Sequence, residues 1–307
     1  MATTVTAPVG NSISLASRYL PILDEIYKAE SKSAILDTAN ERVRWEGAKT
    51  AYLFATSPVG LGDYSRNAGF VPGDVTGTWE AYQITQDRGR SFMVDVMDND
   101  ETLGMAFGTL VGEFERTKVV PELDAYRFAK YAKGAAAAHK DTESLSTSAQ
   151  VLASIDEATE KLDDAEVPYE GRILFVNPTI YKLFKAAITR YTMNREGDVN
   201  YNIEMYNDMR VITVPSGRFN TVCTLAQPTD HDGAGGYTAA GSTINYMIVH
   251  PSATLQVVKH AVPRIFSPEV NQEADAWKFD YRVYHDCWVE TQKNTGIYVS
   301  AASFPST

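Results

Sequence analysis

The side chains of this 307-residue chain that could do chemistry are few and scattered. His285 and Cys287 stand two apart, and in an extended strand such residues share a face. An imidazole beside a thiol is the pairing of a base with an activatable nucleophile. The other residues of that face, including Phe279, Tyr281, Val283 and Val289, are apolar, so the pair reads as buried filler. Asp230-His231-Asp232 has metal-binding residue types but sits in a glycine-rich stretch without a second cluster, and reads as a surface turn. Asp98 and Asp100 resemble the start of a calcium loop, yet the glycine and distal glutamate are misplaced. With Glu101 they make a better helix cap. Gly60-Leu-Gly62 meets Ser65 where a dinucleotide fingerprint needs its third glycine. There is no P-loop, nucleophile elbow or His-Glu-x-x-His. Histidines 139, 231, 250, 260 and 285 show no ligand spacing, and two cysteines, Cys223 and Cys287, make neither a disulfide framework nor a four-cysteine zinc site. The sequence thus assigns no catalytic residue, no cofactor and no metal.

Composition is that of an ordinary globular chain. The chain is 44% hydrophobic and 22% charged, as globular proteins are. With 28 Lys plus Arg against 39 Asp plus Glu, its net charge of −11 disfavours a protein built to grip phosphates. The 17 tyrosines are spread out and form no stacking platform. Met1 to Ser17 lacks the charged start and apolar block of a signal peptide. The longest uncharged stretch, 233–258, is broken by glycines, Asn245, His250 and Pro251 and is no membrane span.

The elements that must position these residues follow from pattern. Residues 1–17 read as an extended arm, and Leu20, Leu23, Ile26 and Tyr27 recur at helical spacing. Six glycines at 47, 60, 62, 69, 73 and 77 lie between two arms marked by Tyr52, Leu53 and Phe54 and by Trp79, Tyr82 and Ile84. That is a long hairpin or Ω-like excursion, too apolar for plain solvent. Asp87-Arg88-Gly89 reads as the turn of a second hairpin, and Phe92, Val94 and Val96 as one face of a strand. Asp98 opens a helix to Lys133, about 50 Å long if continuous, which Pro121 should kink. Gly104, Gly108 and Gly112 share a helix face suited to close packing. After Gly134 an α/β alternation begins. Val151, Ile155, Ala158 and Leu162 make an amphipathic helix; Arg172–Val176 is a strand; Asn177-Pro178 caps a helix to about Arg190. Residues 192–202 read as a polar loop, Val211–Val214 as a strand, Thr229–Thr243 as a loop and Ile244–Val249 as a strand. From Trp277 to Glu290 the period is two, a strand far longer than the usual 5–6 residues. Thr291–Gly296 reads as a turn that returns the chain as Ile297–Ala301.

This order of arm, glycine-rich excursion, hairpin, long helix, α/β block and terminal hairpin resembles the major capsid protein of tailed bacteriophages, the HK-ninety-seven-type shell fold. The stretches 167–181, 211–219 and 279–299 resemble the family's axial-domain entry, central strand and terminal peripheral hairpin. The resemblance implies an α+β fold with five parts. These are an N-terminal arm and helix (1–46), an extended loop (47–80), a peripheral part with the spine helix (81–140), an axial domain (141–253) and a second peripheral part with a terminal long β-hairpin (254–307). It implies no enzymatic activity. It implies assembly with itself through pentamers and hexamers into an icosahedral shell around double-stranded DNA, bound without sequence specificity. A scaffolding protein, a portal and decoration proteins are the implied partners, the virion the implied location, and the host bacterial cytoplasm the place of assembly, with no membrane. The interface residues so implied are Tyr52, Phe54, Gly60, Gly62, Gly69, Phe70 and Trp79 on the loop, and Asn194, Arg195 and Gly197 in the axial loop. Lys49 is the loop's sole candidate for a cross-link of the kind some members make, and many lack it. Three alternatives stand beside this: an encapsulin-like nanocompartment shell, a cytosolic α/β enzyme with dispersed catalytic residues, and a tail or baseplate protein.

Overall fold

A computed structural model describes residues 31–37, 44–46, 50–64, 66–67, 70, 72–97, 112–188, 192–193, 199–200, 203–228, 233 and 235–305. In chain order, the strands β1 (Arg44–Glu46), β2 (Thr50–Pro58), β3 (Val75–Gln83) and β4 (Gln86–Asp95) come first. A helix then runs from Gly112 through a π-turn at Glu115–Val119 into α1 (Val120–Gly134). β5 (Lys140–Thr142), α2 (Ser148–Asp164), β6 (Ile173–Val176) and α3 (Pro178–Ala187) follow. Next are the short strands β7 (Thr192–Met193), β8 (Val199–Asn200) and β9 (Met205–Tyr206), then β10 (Met209–Thr213) and β11 (Asn220–Leu225). Four long or central strands end the chain: β12 (Tyr237–Val249), β13 (Thr254–Phe266), β14 (Ala276–Val289) and β15 (Ile297–Ala301). Two compact units result, a ribbon unit within 39–86 and a main unit formed by the rest.

The main unit is built on a seven-stranded sheet, β5-β15-β12-β6-β10-β9, with β11 paired to β12. Its central strand β6 is buried at every position, as a strand covered on both faces must be. Leu174 and Val176 face one layer, with Val151, Ile155 and Leu162 of α2 and Ile180 and Phe184 of α3. Ile173 and Phe175 face the other, with Phe128 and Tyr131 of α1, Phe219 and Cys287. A second sheet, β13-β14-β4, carries a third apolar cluster in which Phe279, Tyr281 and Val283 meet Val119 and Leu123. One helix therefore has its first turns in the small sheet's core and its last turns in the large sheet's core. α1 is buried almost all round, including Asp124 and Arg127.

Asp124 explains how buried charge is tolerated there. Its carboxylate accepts from Ser31 Oγ at 2.7 Å, Lys32 N at 3.0 Å, Ser33 N at 3.2 Å and Ser33 Oγ at 2.7 Å. Arg218 Nη1 lies 3.4 Å away. The segment 31–37 is thereby fastened to the helix, and Leu36 is fully buried in the first core.

Several sequence expectations hold. The amphipathic helix forms as α2, with a Thr147–Gln150 capping box at its start that the sequence reading did not name, and Asn177 caps α3 by accepting from Thr179 N at 3.0 Å. Pro121 lacks an N–H and cannot close a regular α-turn. Just before it the helix widens into π geometry, with Val120 N–H donating to Glu115 O. The helix lies against β14, where Tyr126 Oη donates to Asp286 Oδ1 at 2.8 Å.

Other expectations are corrected. The long strand at the C-terminal end does not turn back as 297–301; β14 pairs with β13 over Thr254↔Val289 to Phe266↔Lys278. β15 instead lies between β12 and β5 in the large sheet. The reason is burial: all five β15 residues are buried, which needs two covered faces, and 291–296 forms 3-10 turns rather than a tight hairpin. Asp87-Arg88-Gly89 is no turn but lies inside β4. Gly89 serves close approach, since a Cβ there would stand 2.9 Å from the Tyr281 carbonyl oxygen. β12 starts at Tyr237, inside the stretch read as a loop, because β11 pairs with its first half. The 192–202 stretch holds the small β7–β8 pair. The Asp98 cap, Gly104, Gly108, Asp230-His231-Asp232 and Lys49 lie outside the described residues.

Candidate assembly surfaces

The ribbon unit is a three-stranded sheet, β1-β2-β3. β2 and β3 pair in continuous antiparallel register from Thr50↔Gln83 to Pro58↔Val75. This places Phe54 opposite Trp79, with ring centroids 4.8 Å apart. A Cβ at Gly77 would strike the Phe54 ring at 2.6 Å, so the glycine leaves room for that ring to lie across the strand. Such pairing stabilises a ribbon but leaves the rings in water: Phe54 is 50% and Trp79 52% exposed. Toward the tip, Phe70 is 88% exposed and Tyr64 stands 4.9 Å from it, edge to face. Protein–protein interfaces are enriched in aromatic residues of this kind. Tyr52 is half-buried in the same ribbon, and Gly60 and Gly62 are exposed beside Leu61. A Cβ at Gly60 would meet nothing within 4 Å, so the chain's own packing does not demand glycine there. Gly69, Asn194, Arg195 and Gly197 lie outside the described residues.

Sequence reasoning named Phe54, Phe70 and Trp79 but missed Leu61 and Tyr64, which stand exposed with them. The available signal was an apolar residue between two glycines. On the main unit it missed Tyr169 and Met205, both exposed. Single apolar residues in polar surroundings carry no such signal.

The chemical candidates end differently. His285 and Cys287 do share a buried face of β14. Burial drives the imidazole down to about 3, helped by Arg127. Burial likewise drives the Cys287 thiol up to about 12, so it stays protonated. A neutral ring and an un-ionised thiol, both shut from water, have the state of core residues. Among the described residues no group of three or more His, Cys, Asp or Glu could hold a metal, and no helix is long and apolar enough to cross a membrane.

No sequence family and no curated protein matches the chain. Solved structures do. The capsid structure of cyanophage P-SCSP1u matches with a TM-score of 0.61 and 11% identity over 85% of this chain and 85% of that one. The mature capsid of bacteriophage PhiM1 matches at 0.55, with 13% identity over 83% and 82%. A virus-like particle from Pyrococcus furiosus matches at 0.53, with 14% identity over 95% of this chain and all of that one. The chain has the HK-ninety-seven-type capsid fold. At these identities the likeness is one of architecture. Within the capsid fold, this chain keeps an α+β main unit crossed by one helix and, as a second unit, an apolar ribbon.

Proposed function

We propose that the chain is the major capsid protein of a tailed phage. It would assemble through pentamers and hexamers into an icosahedral shell around double-stranded DNA, within the host bacterium, and remain in the virion. The seven-stranded block would be the axial domain, gathering copies around five-fold and six-fold axes. The β13-β14-β4 sheet with the helix would be the peripheral domain and spine. The ribbon would lie on a neighbouring copy, and a scaffolding protein, a portal and decoration proteins would be partners. The observation that carries this reading is the ribbon: a fold shared with capsid chains bears large aromatic residues exposed along a sheet too thin to have a core of its own. Burial at a protein interface removes that cost. The net charge of −11 suits a wall past which DNA must slide during packaging.

A second reading, a nanocompartment shell around protein cargo, is supported by the likeness to the Pyrococcus particle over nearly the whole of both chains. Both readings require closed homomeric particles; what they enclose separates them. The test is the mass of the purified chain by light scattering over rising concentration, alone and with a scaffolding partner. Rings and multi-megadalton particles are expected. A monomer or dimer under every condition contradicts both readings.

A further inference from the structure

The segment 31–37 lies on the main unit as a strap, and its hold is mostly polar. Two backbone N–H groups and two serine hydroxyls, from Ser31 to Ser33, all donate to one buried carboxylate, Asp124. Ser33 adds two bonds: its Oγ accepts from Arg127 Nη1 at 2.9 Å, and its carbonyl accepts from Gln256 Nε2 at 3.2 Å. Leu36 is its one fully buried apolar side chain, with Ile35 packed beside the same core. Elements that bury little apolar surface open locally, before the fold as a whole does.

The seat under the strap is incompletely satisfied. Gln256 Oε1 and the Tyr131 hydroxyl are buried without a hydrogen-bond partner among the described residues. Gln256 bonds the strap directly, and Tyr131 lies within electrostatic reach of Asp37. Buried polar atoms without partners raise the energy of the closed seat, and entry of water relieves them.

Asp124 also has a second partner that does not belong to the strap. Arg218 reaches it from the turn before β11, with Nη1 at 3.4 Å from Oδ2, the long limit of a hydrogen bond. If the strap leaves, this guanidinium can close on the carboxylate, so the buried charge is not stranded. One carboxylate with two alternative sets of partners makes a two-state element.

We propose that 31–37 is a latch. It lifts from α1 as a unit while both cores stay folded, and Asp124 passes from the serines to Arg218. The open form uncovers the Leu36 slot and the polar seat together, which gives the chain a second folded form. The latch belongs to the isolated subunit, whatever the chain assembles into.

The test is hydrogen exchange on the full chain, read peptide by peptide by mass spectrometry. In the unaltered protein the amides of Lys32 and Ser33, which donate to Asp124, should exchange at least about ten-fold faster than those of β6 and β12 in the middle of the large sheet. Ser31→Ala with Ser33→Ala should speed strap exchange by a further factor of about ten and leave β6 and β12 as they were. Arg218→Met should act in the opposite direction and slow strap exchange about three-fold or more, because the open form loses its replacement partner for Asp124. Arg218→Lys, which keeps the charge, should exchange much as the unaltered chain does. A merely structural Arg218 predicts the reverse, a loosened strap in Arg218→Met. Faster strap exchange in Arg218→Met therefore overturns the proposal, and so does a strap that exchanges in step with β6 and β12. Should Arg218→Met fail to fold, the comparison of strap with central strands in the unaltered chain decides alone.

Discussion

His285 shows how a residue that looks chemical is made inert. Its ring is buried beside Tyr126, at 5.6 Å between centroids, and its Nδ1 has no hydrogen-bond partner. Its pKa in the unfolded chain lies near 6.5, and in the fold near 3. As pH falls, the unfolded chain takes up this proton first. The stability linked to His285 is therefore complete above pH 6.5 and drains as pH falls from there toward 3, by up to about 1.4 kcal/mol per pH unit. Urea midpoints at pH 7 and pH 5 should thus separate more for the unaltered chain than for His285→Gln; equal separations would contradict the burial account. Asp124 is the opposite case, a charge that is buried and fully hydrogen-bonded. Asp124→Asn should cost about 2–4 kcal/mol in urea unfolding, and Ser33→Ala about 1 kcal/mol. If Asp124→Asn were neutral, the 31–37 segment would not be held by this carboxylate. Burial of His285 and Cys287 was legible in the sequence because alternation over β14 fixes the face they share. The Asp124 cluster was not, because its serine partners lie 91 and 93 residues away and no local pattern encodes so distant a contact.

At the scale of elements, periodicity and caps were legible and partners were not. The apolar stripe of α2, the Asn177-Pro178 start of α3 and the disturbance before Pro121 are local matters, and each appears where its residues stand. The partner of β14 depends on which of two later or earlier strands buries more surface, and alternation is silent on that. Gly89 misled for a related reason: a glycine reads as a turn, whereas here a neighbouring backbone crowds it. Although Gly89 is exposed, Gly89→Ala should destabilise by about 1–3 kcal/mol, since the new methyl must push Tyr281's carbonyl aside. A stabilised Gly89→Ala protein in thermal melts would refute that contact. The two extended arms of the ribbon were legible from the aromatic residues on each; their register and what the ribbon rests on were not. Phe54→Ser with Trp79→Ser should leave main-unit melting unchanged and raise the concentration needed for assembly at least about ten-fold, as loss of central aromatic anchors does. Assembly at the original concentration would remove the ribbon from the interface.

For the whole molecule, the order of elements carried more information than any motif. An arm, an apolar ribbon, one long helix, an α/β block and a long hairpin outline the capsid fold even at 11–17% identity to solved capsid-fold chains. Residues 1–30 and 194–198 lie outside the described residues. Gly60 belongs to this scale too: with nothing within 4 Å of a Cβ, Gly60→Val should leave the isolated subunit as stable as before and impair only the particle. The most direct measurement of the central claim is negative-stain electron microscopy of the purified chain, alone and with a scaffolding partner. Closed shells, partial shells or pentamer and hexamer rings are the result the account predicts. A field of single subunits or dimers in both preparations would contradict it.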